Sequence, residues 1–145
     1  MGFSCKGVLR PIFFLTTVTH DLYLNMLRDT VLPQLQRQHG NDDFFFQQDG
    51  APPHYVITVC KFLDEQAPNR WKGRRGPVEW PPRSPDLTPM DFFFWVFVKN
   101  KVFSRKPHTV DDTIHCLREA CQETDDSKEL CTRVCLSVAS RLQEC

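Results

Sequence analysis

At 145 residues, with 41% hydrophobic and 25% charged side chains, the chain has the size and composition of one globular domain, which excludes a disordered or low-complexity protein. Eighteen basic and eighteen acidic side chains cancel, so no overall positive field marks a nucleic-acid partner. The balance is uneven along the chain: Arg70, Lys72, Arg74, Arg75 and Arg83 face only Glu79 within one stretch, whereas residues 111–130 are strongly acidic.

Seven cysteines without a CxxC pair argue against a zinc ribbon or a disulfide framework and for reduced thiols. The segment "CKGVLRPIFFLTTV" sets two bases before a short apolar run. That run opens at Pro11 and lacks a small-residue cleavage site, so a soluble protein of a reducing compartment is expected. No stretch approaches membrane-spanning length.

Residues 8–18 are rich in β-branched and aromatic types and predict two short strands broken at Pro11. From Asp21 onward, Tyr23, Leu27, Val31 and Leu35 recur at every fourth position, predicting a helix that Pro33 kinks or interrupts. Gly40 and Asn41 supply its stop. Residues 43–48 contain three consecutive phenylalanines and read as a buried strand covered on both faces, with Asp49 at its carboxyl end. Beyond the Gly50–Pro53 turn, Val56, Val59, Cys60 and Leu63 form one apolar stripe, predicting a helix over about 54–66.

A proline-rich loop follows, with room for a short strand at 78–80. Thr88, Pro89 and Asp91 then supply the cap, first position and third position of a helix. The aromatics after them circle the axis, so this helix is expected to be mostly buried. Two more helices are predicted near 109–123, with Thr109 and Asp112 at its start, and near 126–143. Strands followed by helices, with an acid ending a central strand, suggest α/β architecture, in which sites form at the carboxyl ends of strands.

Two carboxylates stand out by position. Asp49 ends a strand and Asp91 opens a helix; if the two ends pack together, both acids share one divalent cation. Oxygen ligands of this kind suit Mg²⁺ or Mn²⁺, which activate water or a 3′-hydroxyl for attack on a phosphodiester. The plainer readings stay open: Asp91 is also a good capping acid, and Asp49 before Gly50 is also a turn former.

The blocks "FFFQQDGAPPHY", "RWKGRRGPVEWPPRSPDLTPMDFFFW" and "LREAC" resemble the DDE-type transposase domain of mariner-like elements. The resemblance runs from about Gly7 to Cys145 and is most specific over Phe44 to Trp95. It implies an α/β fold, a ribonuclease-H-like mixed sheet flanked by helices. Residues 1–107 would form a partial catalytic domain and residues 108–145 its helical C-terminal extension. It also implies metal-dependent cleavage and joining of DNA strands with Mg²⁺ or Mn²⁺. Matched position by position, Asp49 corresponds to the second catalytic acid and Asp91 to the third, with Asp86 a rival by proximity. The family's first catalytic Asp lies upstream of the segment resembling "GVLRPIFFLTTV", and no Asp precedes Asp21 here. The expectation is therefore a truncated transposase domain lacking its first strand, prone to association through exposed sheet edges and inactive alone. The alternative is a non-catalytic module that binds DNA or associates with an intact transposase. A nuclear location follows from a DNA partner, and a cytoplasmic one otherwise.

The remaining candidates each carry two readings. His54 either orients Asp49 or contacts phosphate, or else packs at a helix start. Arg70, Lys72, Arg74, Arg75 and Arg83 either track a DNA backbone or form a solvated loop. Cys131 and Cys135, one helical turn apart, read as a soft-metal pair or, better, as packing thiols; Phe92 to Trp95 as a base-stacking surface or, better, as core; and Asp125 and Asp126 as acids opening the last helix.

Overall fold

Proline has no backbone N–H and its ring collides with the carbonyl four residues back, so Pro33 ought to break the helix it sits in. In the computed structural model, which describes residues 1–78 and 87–144, the chain instead widens just before it. Helix α1 (His20–Met26) passes into a π-turn, Leu27–Val31, in which the Leu32 N–H donates to the Leu27 carbonyl, and then into α2 (Leu32–His39). The widened turn lets apolar residues on both sides of Pro33 stay inward: Tyr23, Leu27, Val31 and Leu35 are all buried, as their spacing predicts. Thr19 caps α1 by accepting from the Leu22 N–H, and Gly40, at φ 59°, ends α2.

These helices belong to one of two units, Phe14–Arg83. The other comprises Met1–Phe13 and Ser84–Cys145. In the first unit, a 3₁₀ turn at Pro52–Tyr55 leads into α3 (Ile57–Gln66), whose buried face is Val59, Cys60 and Leu63. Both the turn and α3 pack on α1. A short parallel ladder joins β3 (Phe46–Gln47) to β4 (Trp71–Lys72), with Phe46 opposite Trp71.

The second unit opens with an antiparallel hairpin, β1 (Gly2–Ser4) and β2 (Gly7–Leu9). Its helices are α4 (Trp95–Arg105), entered through a π-turn at Met90–Phe94, then α5 (Val110–Asp126) and α6 (Lys128–Glu144). Val8, Phe94, Val98, Ala120 and Cys121 form its buried centre, and Phe3 lies against Phe94 with ring centroids 5.5 Å apart. Lys106 takes the left-handed conformation that ends α4, and Pro107 prevents its continuation. Thr109 and Asp112 exchange both hydrogen bonds of a capping box at the start of α5.

The expected ribonuclease-H-like mixed sheet is overturned. The molecule is mostly helical and its described strands form only two two-stranded sheets. The physical reason lies in the phenylalanine run, read as a central strand needing cover on both faces. Phe44 instead packs beside His39, Phe45 is 57% exposed, and only Phe46 and Gln47 enter a ladder. Of the strands predicted over 8–18, only Gly7–Leu9 forms, and its partner is the preceding β1. Helix α4 is also less enclosed than expected: Phe94 and Val98 are buried, but Val96 and Phe103 face outward. Residues 79–80 of the predicted short strand lie outside the described residues. No helix among the described residues is long and apolar enough to cross a membrane.

Asp125 was expected to open the last helix; it lies instead at the end of α5 and ties that helix to the hairpin. Its Oδ1 accepts from the Val8 N–H at 2.9 Å and from Lys128 Nζ at 2.5 Å. Gly7 makes this approach possible, being at φ 131° with its missing Cβ site 2.1 Å from the same oxygen. Gly7→Ala should therefore lower unfolding stability by about 2 kcal/mol in urea denaturation. Gly50→Ala, where an added Cβ meets nothing within 4 Å, should stay within about 0.5 kcal/mol of the parent.

Candidate functional site

Two prolines after Ala51 fix a tight turn, and that turn bends the chain back so that His54 reaches Asp49, which lies two residues beyond the end of β3 rather than at its carboxyl end. Asp49 Oδ1 lies 2.6 Å from His54 Nδ1 and also accepts the Ala51 N–H at 3.0 Å. The imidazole is held from behind. Its ring stacks on Tyr23 of α1 at a centroid distance of 4.0 Å and an interplanar angle of 24°. The Tyr23 hydroxyl donates to Gln48 Oε1 at 2.9 Å, and Gln48 Nε2 donates to the His54 carbonyl at the same distance. The Gln48 N–H in turn donates to the Lys72 carbonyl at 3.1 Å, extending the β3–β4 ladder by one bond.

The result is a carboxylate with two fixed contacts on one oxygen and a side chain 76% exposed to solvent. Hydrogen bonding from His54 is the main cause that holds the Asp49 carboxyl below the usual carboxylate range, with the Ala51 N–H adding to it against a smaller opposing effect of burial. Burial, reinforced by the Asp49 charge, pushes the Tyr23 phenol up, so Tyr23 remains a protonated donor to Gln48. Asp49 is therefore ionised, aimed and accessible at neutral pH.

Asp91 lies in the other unit. It is exposed in the first turn of the helix leading into α4, and its N–H donates to the Thr88 carbonyl at 2.8 Å. An acid there is favoured by the free N–H groups of the helix start. Among the described residues, no group of three or more His, Cys, Asp or Glu side chains is placed to hold a metal ion. A hard dication asks for about six oxygen ligands, and the neighbours of Asp49 in its own unit are an imidazole, an amide and a phenol. By themselves these residues offer one hard oxygen donor of the kind Mg²⁺ or Mn²⁺ takes, so further oxygen ligands would be needed to complete a site.

The basic stretch resolves into unequal members. Arg70 Nη1 is engaged by Asp43 Oδ1 at 2.8 Å, and Lys72 Nζ lies 5.2 Å from the Phe45 ring centroid. Arg74 and Arg75 occupy the centre of a tight turn closed by the Gly76 N–H donating to the Gly73 carbonyl at 3.0 Å. Both guanidinium groups lie over Tyr55, at 4.2 Å and 5.6 Å from its ring centroid. Arg75 Nη1 also donates to the Tyr55 carbonyl at 3.3 Å. Arg83 and Asp86 lie outside the described residues.

Elsewhere, Cys131 is buried with its thiol donating to the Thr124 carbonyl, and Phe92 lies beneath Arg141 at 4.0 Å. Three participants were not singled out from the sequence: Tyr23, Gln48 and Tyr55. Tyr23 was visible only as a helix-stripe residue, and no local signal links it to His54. Tyr55 directly follows the PPH turn, but the arginines that lie over it come from a separate turn far along the chain. No protein-family model and no curated protein matches this chain.

The lowered Asp49 pKa makes a directional prediction. Because the folded-state pKa lies below the ordinary value of 3.8, the associated stability is present above that pH and is lost as pH falls through the folded value. Solvent screening at so exposed a carboxylate keeps the amount small. His54→Ala should raise the Asp49 pKa toward 3.8, read from the side-chain carboxyl resonance in a ¹³C NMR titration. An unchanged titration would show that the imidazole contact does not set it.

Proposed function

We propose that this chain is part of a mariner-like DNA transposase region, with Asp49 and Asp91 as two of the carboxylates that bind Mg²⁺ or Mn²⁺ for DNA strand cleavage and joining. The observation that carries the reading is the ordered pair of blocks, "QDGAPPH" and "WPPRSPDLTPMDFFFW", the first containing Asp49 and the second Asp91. The local structure supports it in one respect: Asp49 is exposed, held in one orientation by His54 and the Ala51 N–H, and kept ionised. On this reading Asp49 and Asp91 are two of the three carboxylates such chemistry uses, and a metal held by these two alone is bound weakly. Its partners on this reading are transposon-end and target DNA in the nucleus, together with a second copy of the chain or an intact transposase.

A second reading is favoured by the turn bearing Arg74 and Arg75: a non-catalytic module that contacts DNA or an intact transposase and uses no metal. Metal response separates the two. Mn²⁺ at ten times its dissociation constant should stabilise the protein by about 1.4 kcal/mol, a rise of about 3 °C in melting temperature. Asp49→Asn keeps the oxygen that accepts the Ala51 N–H but removes the charge, and it should abolish that rise. Equal responses in parent and variant would sink the metal-dependent reading and leave the binding module.

A further inference from the structure

The turn at Gly73–Gly76 places an arginine where the backbone disfavours one. Arg75 sits at φ 66°, a left-handed conformation in which glycine or asparagine is the ordinary occupant, although glycines stand at positions 73 and 76 of the same turn. The turn is also held firmly. An added Cβ at Gly76 would lie 2.8 Å from Trp71 Cζ3, so the backbone rests directly on that buried indole, and the Gly73 N–H donates to the Val78 carbonyl at 3.2 Å. This rigid support presents two like charges to a single aromatic ring, that of Tyr55.

Two guanidinium groups brought together repel each other, and stacking on a tyrosine face offsets only part of that. With the guanidinium groups lying over the ring, and one Arg75 N–H taken by the Tyr55 carbonyl, the remaining N–H groups are left for an oxyanion, which arginine binds through paired hydrogen bonds. Neither Arg74 nor Arg75 forms an ion pair with an acid among the described residues, whereas Arg70 is paired with Asp43. Tyr55 follows His54 directly, so the ring beneath the arginines belongs to the same 3₁₀ turn that positions Asp49.

We propose that Arg74 and Arg75, mounted on Tyr55, form a phosphate clamp that grips a DNA backbone beside Asp49, one phosphodiester to each arginine. This rests on the DNA partner proposed above and goes further, because it assigns the grip to one pair of the five basic residues and makes an uncharged ring part of it. Tyr55 is a positioning residue: it acts through the arginines.

The test is fluorescence anisotropy of a labelled 20-base-pair duplex titrated with the full chain over a range of salt concentrations. Arg74→Gln and Arg75→Gln should each make the log–log salt dependence shallower by about 0.9, one phosphate contact apiece. Arg70→Gln should leave that slope unchanged. Tyr55→Leu keeps the net charge and should nonetheless weaken binding about threefold, the effect of losing an exposed cation–π support. Arg75→Asn relieves the left-handed backbone, so it should melt no lower than the parent while binding more weakly, a combination that a merely structural arginine would not give. Duplex binding with an unchanged slope in both Gln variants would overturn the clamp while leaving the DNA partner standing. No duplex binding by the parent would overturn both. Clamp-dependent binding of inorganic phosphate without duplex binding would overturn the nucleic-acid assignment.

Discussion

The unit spanning residues 14–83 depends on the burial of one side chain. Trp71 is fully enclosed, its indole N–H donates to Asp64 Oδ1 at 2.9 Å, and its backbone pairs with Phe46. Removing an indole of this size from water contributes about 5 kcal/mol in transfer terms. A parallel ladder of two residues per strand has no independent stability. It persists because one of its four residues is the anchor of the surrounding core. The same indole forms the seat of the Gly73–Gly76 turn, so the placement of the arginines and the position of the strand that leads to Asp49 have a common origin.

Around that anchor, the polar residues form a chain of dependence from the interior to the surface. Tyr23 is buried and protonated, Gln48 bridges it to the His54 carbonyl, and His54 meets the exposed Asp49. Tyr23 and Gln48 are satisfied by hydrogen bonds, whereas His54 Nδ1 meets Asp49 by close approach at 2.6 Å without forming a well-aligned hydrogen bond. The outermost member is the one whose charge faces solvent. A carboxylate so arranged is suited to meeting a ligand, whatever completes its coordination.

Local features were the most legible in the sequence. The capping box of Thr109 and Asp112 and the stop at Gly40 form as read, and of the Val56, Val59, Cys60, Leu63 stripe the last three are buried, while Val56 precedes the helix, which begins at Ile57 rather than near 54. The sheet was misread because three consecutive phenylalanines carry no information about which neighbours will cover them. Phe44, Phe45 and Phe46 take three different environments, set by His39, Lys72 and Trp71 respectively. Pro33 was legible as a disturbance but not as a π-turn, since widening and breaking satisfy the same local constraint. In the site, the Asp49–His54 contact lies within reach of a short turn. The stacking of Tyr23 and the arginine pair over Tyr55 are products of tertiary packing, for which a single sequence offers no register.

The hairpin's attachment has a temporal side. Val8 donates to Asp125 across 117 positions, and the unit that encloses Phe3 and Val8 is completed by helices that lie beyond the entire 14–83 unit. A ribosome delivers residues in order, so the inner unit has all of its own pieces while the hairpin has none of its partners. An isolated two-stranded hairpin is marginal in water. During that interval its apolar side chains are a waiting surface, and closing the outer unit then requires joining segments across a long intervening stretch. Demand on chaperones should therefore fall on the outer unit, after the inner one has already settled.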